Sequence, residues 1–544
     1  MKNDFFMLLR NNYALFVLIV ISFFIYMPGL SGDFVWDDIF LVKDNHYLSI
    51  GNTIDFFTKG MIENTESQDN TIPLYRPMVL VVFSLLRHLW GNGPAAFHVL
   101  LLILHLTNVV LVYCFIRKVT TESFVAATFG AAMFALHPAR VESVAWISGI
   151  PDPLVLFFLF GAMFAHISFT EKPNRWRYFF AALILFQMAL WSKEVAILFP
   201  LVVLAYEQLY RKKINFQTTL MYVALAGVYL IARGVVLGAS DKLNALSIPQ
   251  PARIAEFILE YGQLLVLPFQ LPYDLQIPEN PVYSLLSWIS VSLIASVTIF
   301  SWRCFKSDRR KTLVFSIIWI FVFFWPAVVF AIYMDGYAAR YLYVPAVGAA
   351  VFASSLYGYV AEKSRTLKAC GIAFSTVVII IFGTLSWREI PSWKDDGAFF
   401  SKVIIVSPEN VAAYRGAGNF HLNRNDYTLA EKYFLMSLQK ANTNQDRASA
   451  MLALGTTYGI DNKLELSEYY FVQSLKYSPN NSDSFMGLGN LALVRNRFPE
   501  AIYYYEKAVA SRPNNIKASM NLAIAYEKIG DFDRSQSIKS SLKP

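Results

Sequence analysis

The chain has 544 residues, 56% of them hydrophobic, 16% aromatic and 16% charged. It is too apolar for a soluble globular protein and too long for one domain, so it reads as an integral membrane protein with a further domain. The net charge of +8 falls in short cationic clusters between apolar runs, which is how topology signals are distributed, and no nucleic-acid partner is expected. Cys114, Cys304 and Cys370 lie in or beside apolar segments without a useful spacing, so neither a disulfide framework nor a thiolate metal site is indicated.

A bilayer core needs about 20 apolar helical residues. Runs of that kind fall at 13–30, 96–116, 123–136, 154–169, 178–191, 195–210, 218–237, 285–302, 313–333, 341–360 and 367–387, eleven expected crossings. The first lacks an A-x-A-like cleavage site and ends at Pro28-Gly29, so it is expected to stay as a spanning helix. Lys2/Arg10, Arg117/Lys118, Lys172/Arg175/Arg177, Arg211/Lys212/Lys213, Arg303 to Lys311 and Lys363/Arg365/Lys368 fall at alternate connections, which marks that side as cytoplasmic. The apolar stretch 254–268 is taken as re-entrant or interfacial, because a crossing there would move the 303–311 cluster outside. An odd count from a cytoplasmic N-terminus leaves the C-terminus extracytoplasmic. The loop 31–73, with eight acidic and two basic residues, then lies outside as well.

Polar groups near a membrane are expensive, and several collect at outer helix ends in this topology. Asp37 and Asp38 stand in "GDFVWDDIFLVKDN", followed by Tyr75-Arg76-Pro77, His137-Pro138 with Glu142 and Asp152, Lys193-Glu194, and Arg340 with Tyr341 and Tyr343. A carboxylate suits deprotonation of a hydroxyl attacking a sugar's anomeric carbon, and a second can orient the acceptor. Asp38 is marginally preferred over Asp37 as that base. An Arg suits a lipid-linked donor's phosphate and the charge that develops as it leaves, the role given to Arg340 with Arg76. An outward-facing enzyme has no nucleotide supply, so the donor is expected to be a sugar on an isoprenoid phosphate. His137, Glu142, Asp152, Lys193, Glu194 and Tyr343 are assigned supporting roles, and Lys193-Glu194 reads equally well as a structural ion pair. His98 and His105 read as packing or hydrogen-bonding residues, and Asp395-Asp396 as capping or charging the first helix after the membrane. No cofactor and no metal ligand set is assigned, although a divalent metal is left open. Phosphate-cradling glycine loops, nucleophile elbows and dinucleotide fingerprints do not occur, which argues against ATP-driven transport and serine hydrolysis.

Beyond residue 410 a repeat sets in. Gly418, Gly455, Gly489 and Ala523 are 37, 34 and 34 residues apart, with Ala430, Ser467, Ala501 and Ser535 twelve positions after each. Phe434, Phe471 and Tyr505 follow four residues later in the first three units. This is the tetratricopeptide period, with small residues where paired helices touch and large ones where repeats stack. Residues 393–408, with Phe400 at the matching offset, are expected to form the second helix of a preceding half-repeat. Two domains are thus expected, 1–392 in the membrane and 393–544 outside it, the latter offering a concave face to a peptide.

The ordered stretches "FVWDDIFLVKDN", "LYRPMVLVVFSLLRHLWGNGPAAFHVLLLILH", "ALHPARVESVAWISGIPDPL", "SKEVAILFPLVVLAYE" and "ARYLYVPAVG", followed by the repeats, resemble the transmembrane and tetratricopeptide repeat family of O-mannosyltransferases over essentially the whole chain. The resemblance implies an all-α fold: a polytopic GT-C-type transmembrane helix bundle followed by a C-terminal tetratricopeptide-repeat solenoid. It implies an isoprenoid-phosphate sugar donor, inversion at the anomeric carbon, and transfer of mannose or a similar hexose to Ser or Thr of an extracytoplasmic protein. The family's acidic pair falls on Asp37 and Asp38, its motif arginine on Arg76, its His-Pro on His137-Pro138, and its second-loop acids on Glu142 and Asp152. Its Lys-Glu pair falls on Lys193-Glu194 and its arginine before leucine-tyrosine on Arg340. Where the family has Glu-Arg this chain has Ala339-Arg340, and its glycine-arginine-alanine-aspartate reads Gly149-Ile150-Pro151-Asp152. The short solenoid and compact loops point to a bacterial inner-membrane protein using a polyprenyl carrier. The competing reading is a non-catalytic membrane scaffold recruiting extracytoplasmic proteins; a lipid flippase is a third.

Overall fold

The computed structural model describes residues 13–61, 74–171, 176–238, 251–269, 271–273, 281–333, 337–513 and 515–542. Lys2, Arg10, Lys172 and Arg175 of the expected topology clusters lie outside the described residues. The chain divides into two units, Met1–Asp395 and Asp396–Pro544. Both are built of helices, with no strand among their described residues.

In the first unit every one of the eleven apolar stretches carries helix. Six helical spans, Tyr13–Ser31, Ala95–Val119, Ile147–Glu171, Phe216–Leu237, Leu285–Cys304 and Arg365–Trp393, are long and apolar enough to cross a membrane. A seventh is added if Phe124–Ala135 and Pro138–Ala145, bent by 57°, count as one broken span. The chain is therefore a multi-pass membrane protein. The stretch 195–210 is interrupted, a 3₁₀ turn Glu194–Leu198 giving way to Phe199–Tyr206 and then to the π turn Glu207–Arg211. A further helix, Pro77–Trp90, lies beyond the acidic loop 31–73, between the first two expected crossings; Pro sits at its first position, where the missing N–H costs nothing.

Helices close on one another through small residues, which lets backbones approach where lipid supplies no hydrophobic drive. A Cβ on Gly130 would lie 2.5 Å from the Ala350 carbonyl, and one on Gly348 would lie 2.6 Å from the Ser316 carbonyl. These contacts seat Ala346–Lys363 against Phe124–Ala135 and Ser307–Tyr333. The turn before Ala346 carries Arg340, and the turn after Ala135 carries His137 and Arg140, so the packing brings two of the polar stretches together.

The second unit has four helix pairs: Val411–Asn423 with Tyr427–Lys440, Asn444–Ile460 with Leu464–Tyr477, Ser482–Val494 with Phe498–Ser511, and Ile516–Lys528 with Phe532–Ser541. The turn inside each pair is made by a left-handed residue, Asn425, Asn462, Asn496 and Gly530, the residue types that tolerate positive φ. The rings of Phe434, Phe471 and Tyr505 lie against Gly418, Gly455 and Gly489. Asp396–Val406 precedes the first pair, and Phe400 packs on Gly416 as Phe471 packs on Gly487, the half-repeat expected from the spacing.

A Cβ at Gly489 would meet the Tyr505 ring at 2.6 Å. Gly489→Leu should overpack this helix pair and destabilise the repeat unit by about 1–3 kcal/mol. Thermal melting followed by limited proteolysis of the 396–544 region checks it; an unchanged melt would show the assigned repeat register to be wrong.

Candidate active site

The loop after the first helix turns sharply on itself. The Asp38 amide donates to the Val35 carbonyl at 3.0 Å, and Asp38 Oδ2 accepts from the Val35 amide at 3.0 Å. Trp36 inside this turn has φ of +54°, a left-handed conformation that is strained for a bulky side chain. Its ring stacks on Trp146 at 5.7 Å, and Trp146 donates its indole N–H to the Val35 carbonyl at 3.1 Å. Asp38 Oδ1 accepts from the Ser148 amide at 2.7 Å and from the Ser148 hydroxyl. Ser148 belongs to the 3₁₀ turn Ile147–Gly149, which can fold onto Val141–Ala145 because Gly149 has no side chain; a Cβ there would sit 2.8 Å from the Glu142 carbonyl.

The acidic pair is thereby divided. Asp38 is fully buried with both carboxylate oxygens occupied. Asp37 is partly buried, takes no hydrogen bond among the described residues, and lies within electrostatic reach of Arg340. Burial pushes the Asp37 carboxyl up to about 6 against the pull of Arg340. Burial likewise pushes Asp38 up to about 7; its hydrogen bonds to Ser148 and Val35 oppose the rise and the Asp37 charge adds to it.

Each expected cation meets a carboxylate from a distant part of the chain. Glu142 accepts from the Arg340 guanidinium and, at 2.9 Å, from the Arg340 amide. Arg76 grips Glu194 with Nη2 at 2.9 Å and Nε at 3.2 Å. Lys193 Nζ donates to Asp152 Oδ1 at 2.6 Å. Lys193 and Glu194 are thus not paired with each other, correcting that alternative for the pair: Lys193 is extended, with φ of −160° and ψ of +142°, so the neighbours point apart. Tyr341 links two of the pairs, its ring facing Lys193 at 5.3 Å and Arg340 at 5.1 Å. The Arg340 guanidinium also lies 5.0 Å over Trp146, which ties it to the Asp37 loop.

Two of the supporting residues serve the frame. His137 Nδ1 accepts from the Ala139 amide at 3.2 Å and Nε2 contacts the Leu265 carbonyl at 3.2 Å, so both ring nitrogens are engaged and the imidazole is the neutral Nε2–H form. Leu265 belongs to Pro251–Val266, whose Phe257, Tyr261 and Leu264 pack with Ala139, Ala339 and Tyr341 in one cluster; that helix walls the site. Tyr343 is fully buried, its hydroxyl 2.9 Å from His105 Nδ1 and 3.4 Å from Asn108 Nδ2. His105 therefore takes part in a hydrogen-bonded layer beneath the site, while His98 is packed against Gly32.

The structure adds residues that the sequence reading did not single out. Trp146 and Ser148 hold the acidic loop, and Arg140 is fully buried between the rings of Phe134 and Tyr343. All three stand within "ALHPARVESVAWISGIPDPL", which was their only signal, since neither period nor charge pattern tells which loop a side chain reaches.

The family profile of dolichyl-phosphate-mannose-protein mannosyltransferases matches residues 73–237, and the tetratricopeptide repeat profile matches 452–516 and 486–535. The chain is 22% identical over 419 residues to Protein O-mannosyl-transferase F38B6.6 of Caenorhabditis elegans, covering 74% of this chain and 59% of that protein. It is 23% identical over 531 residues to Protein O-mannosyl-transferase TMTC3 of Homo sapiens, covering 86% and 57%. With Protein O-mannosyl-transferase TMTC1 of Homo sapiens the identity is 36% over 143 residues, 25% of this chain and 16% of that one. The chain thus spans little more than half the length of the first two. Among solved structures, PilW, a type IV pilus biogenesis factor, aligns with a TM-score of 0.26 at 17% identity, covering 34% of this chain and 90% of that one. MamA aligns at 0.23 and 21%, covering 27% and 84%. The order of motifs, the two profile matches and the named relatives together make the chain similar to the transmembrane and tetratricopeptide repeat family of O-mannosyl-transferases.

Proposed function

We propose that the protein transfers a hexose from an isoprenoid-phosphate carrier to a Ser or Thr hydroxyl of an extracytoplasmic protein, in one inverting displacement. The observation that carries the reading is Asp37: a partly buried carboxylate without a hydrogen-bonding partner among the described residues, beside an arginine and raised to about 6. This moves the base from Asp38 to Asp37, since a base needs an open lone pair and both oxygens of Asp38 already accept protein N–H and O–H groups. In the step, Asp37 takes the proton of the acceptor hydroxyl as its oxygen bonds to the anomeric carbon. The bond from that carbon to the donor phosphate breaks, and the electron pair leaves with the polyprenyl phosphate. Arg340 and Arg76 face the leaving phosphate, and Lys193 keeps Asp152 in place. The concave face of the repeats presents the acceptor segment.

The scaffold reading draws on one observation, that Arg340, Arg76 and Lys193 are each closed by a carboxylate, as in a purely structural network. Transfer of labelled sugar from polyprenyl phosphate to a Ser/Thr peptide by purified protein separates the two. Asp37→Asn should lower turnover by about 10²- to 10⁴-fold while donor binding persists. Asp38→Asn should act on the fold instead, because an amide N–H would face the Val35 or Ser148 donors, at about 1–3 kcal/mol seen as a lower Tm. Wild-type transfer by Asp37→Asn would exclude it as the base.

The pH dependence follows from the same carboxylate. The base acts ionised, so transfer should fall as pH drops through about 6, and that limb should disappear in Asp37→Asn. Both carboxyls are raised above the ordinary aspartate value of 3.8, so the folded state binds their protons more tightly than the unfolded chain does. Their contribution to stability therefore declines as pH rises from about 4 to 7. A melting series over that range for wild type and Asp37→Asn checks the sign; a difference that grows toward acid would contradict it.

The proposed setting is a bacterial inner membrane with the N-terminus cytoplasmic and the repeats periplasmic. A periplasm-active reporter joined after the last repeat helix should be active; activity there of a cytoplasm-only reporter would overturn the orientation.

A further inference from the structure

Arg140 is fully buried, and none of its three guanidinium nitrogens has a hydrogen-bond partner among the described residues. The rings of Phe134 and Tyr343 flank it at 5.6 and 5.5 Å, which offsets part of the cost of taking a charge out of water and supplies no anion. It differs from the cations around it in having no carboxylate in contact: Asp152 acts on it only through space and is itself held by Lys193. Arg340, Arg76 and Lys193 are each neutralised by Glu142, Glu194 and Asp152. Arg140 stands two residues before Glu142, the clamp of Arg340, and the ring lying over it belongs to Tyr343, three residues after Arg340. The turn that carries Arg340 at the rim therefore also roofs Arg140.

We propose that Arg140 is an anion anchor of this site, taking an oxygen of the phosphate of the isoprenoid carrier when the turn Ala339–Tyr343 yields. The inference rests on the transferase reading given above and names the residue that meets the charge created in it. A sugar phosphodiester carries one negative charge, and the polyprenyl phosphate that leaves carries up to two. The paired cations can offer that phosphate N–H groups, but their charge is already balanced. Arg140, with no carboxylate paired to it directly, has charge left to give, so it should favour the released phosphate, and the transition state leading to it, over the intact donor.

The test uses full-length protein in detergent, with polyprenyl phosphate as probe and the uncharged polyprenol as control, read by thermal shift and by titration. Wild type should be stabilised by polyprenyl phosphate and not by polyprenol, and Asp37→Asn should behave as wild type. Arg140→Met and Arg140→Gln, which remove a buried unpaired charge, should melt higher than wild type without lipid, bind polyprenyl phosphate about 10- to 100-fold more weakly, and lose its stabilisation. Arg140→Lys, which keeps the charge, should retain part of the shift. A Met or Gln variant that melts lower, or fails to fold, would show that the guanidinium holds the fold up, and overturns the proposal. A lipid response of wild-type size in these variants overturns it while leaving the transferase reading intact. A wild type indifferent to polyprenyl phosphate defeats the isoprenoid-phosphate reading and the anchor with it.

Discussion

Charges that leave water at the end of a membrane bundle are costly unless they meet opposite charges, and at this end of the protein Arg76, Lys193 and Arg340 do so across the chain. Arg76 and Glu194 are 118 residues apart, Lys193 and Asp152 41, and Arg340 and Glu142 198. Such pairs add little net stability, because desolvating both partners costs about what their attraction returns. Breaking one strands a buried charge, so what they contribute is selection: of the ways these loops could meet, few pair all of Glu142, Glu194 and Asp152. The acidic loop then docks through neutral groups, Trp146 and Ser148, onto a frame that the ion pairs have already set.

The frame depends on packing below it. Gly130 and Gly348 let three helices touch backbone to backbone, and the turns bearing Arg140 and Arg340 emerge from two of those helices. In the repeat unit the same economy recurs with rings in place of carbonyls, each glycine accepting the face of Phe434, Phe471 or Tyr505. A side chain at these glycines would separate helices whose spacing fixes everything they carry.

What could be read in advance follows from what each signal encodes. The repeats were legible because a period encodes which faces stack, down to Phe400 in the half-repeat. Helix positions in the membrane were legible because apolarity encodes burial in lipid. The number of crossings was not settled by that signal, since 195–210 is broken by 3₁₀ and π turns and Ser307–Tyr333 holds Pro326, features that hydropathy does not register. Charged residues at the ends of apolar runs were legible as a group because ionisable groups there are expensive and stand out against the hydropathy pattern. Their partners were not: adjacency suggested Lys193 with Glu194, whereas backbone direction sends one to Asp152 and the other to Arg76. The choice within the acidic pair was equally hidden, because it depends on which carboxylate Ser148 reaches.

Closed ion pairs need not mean a closed site, because balancing a guanidinium's charge does not exhaust its hydrogen bonds. Arg340 gives Nη1 and its backbone amide to Glu142, and Arg76 gives Nε and Nη2 to Glu194. Each guanidinium carries five N–H groups in a rigid fork, so N–H groups remain on both, aimed by the carboxylate that holds the others. Under the proposed reading, the pairing leaves donors free for an incoming phosphate without supplying net positive charge for it. The paired arginines would then recognise the geometry of the phosphate, and its charge would be met by a guanidinium that has no paired carboxylate, the part proposed for Arg140.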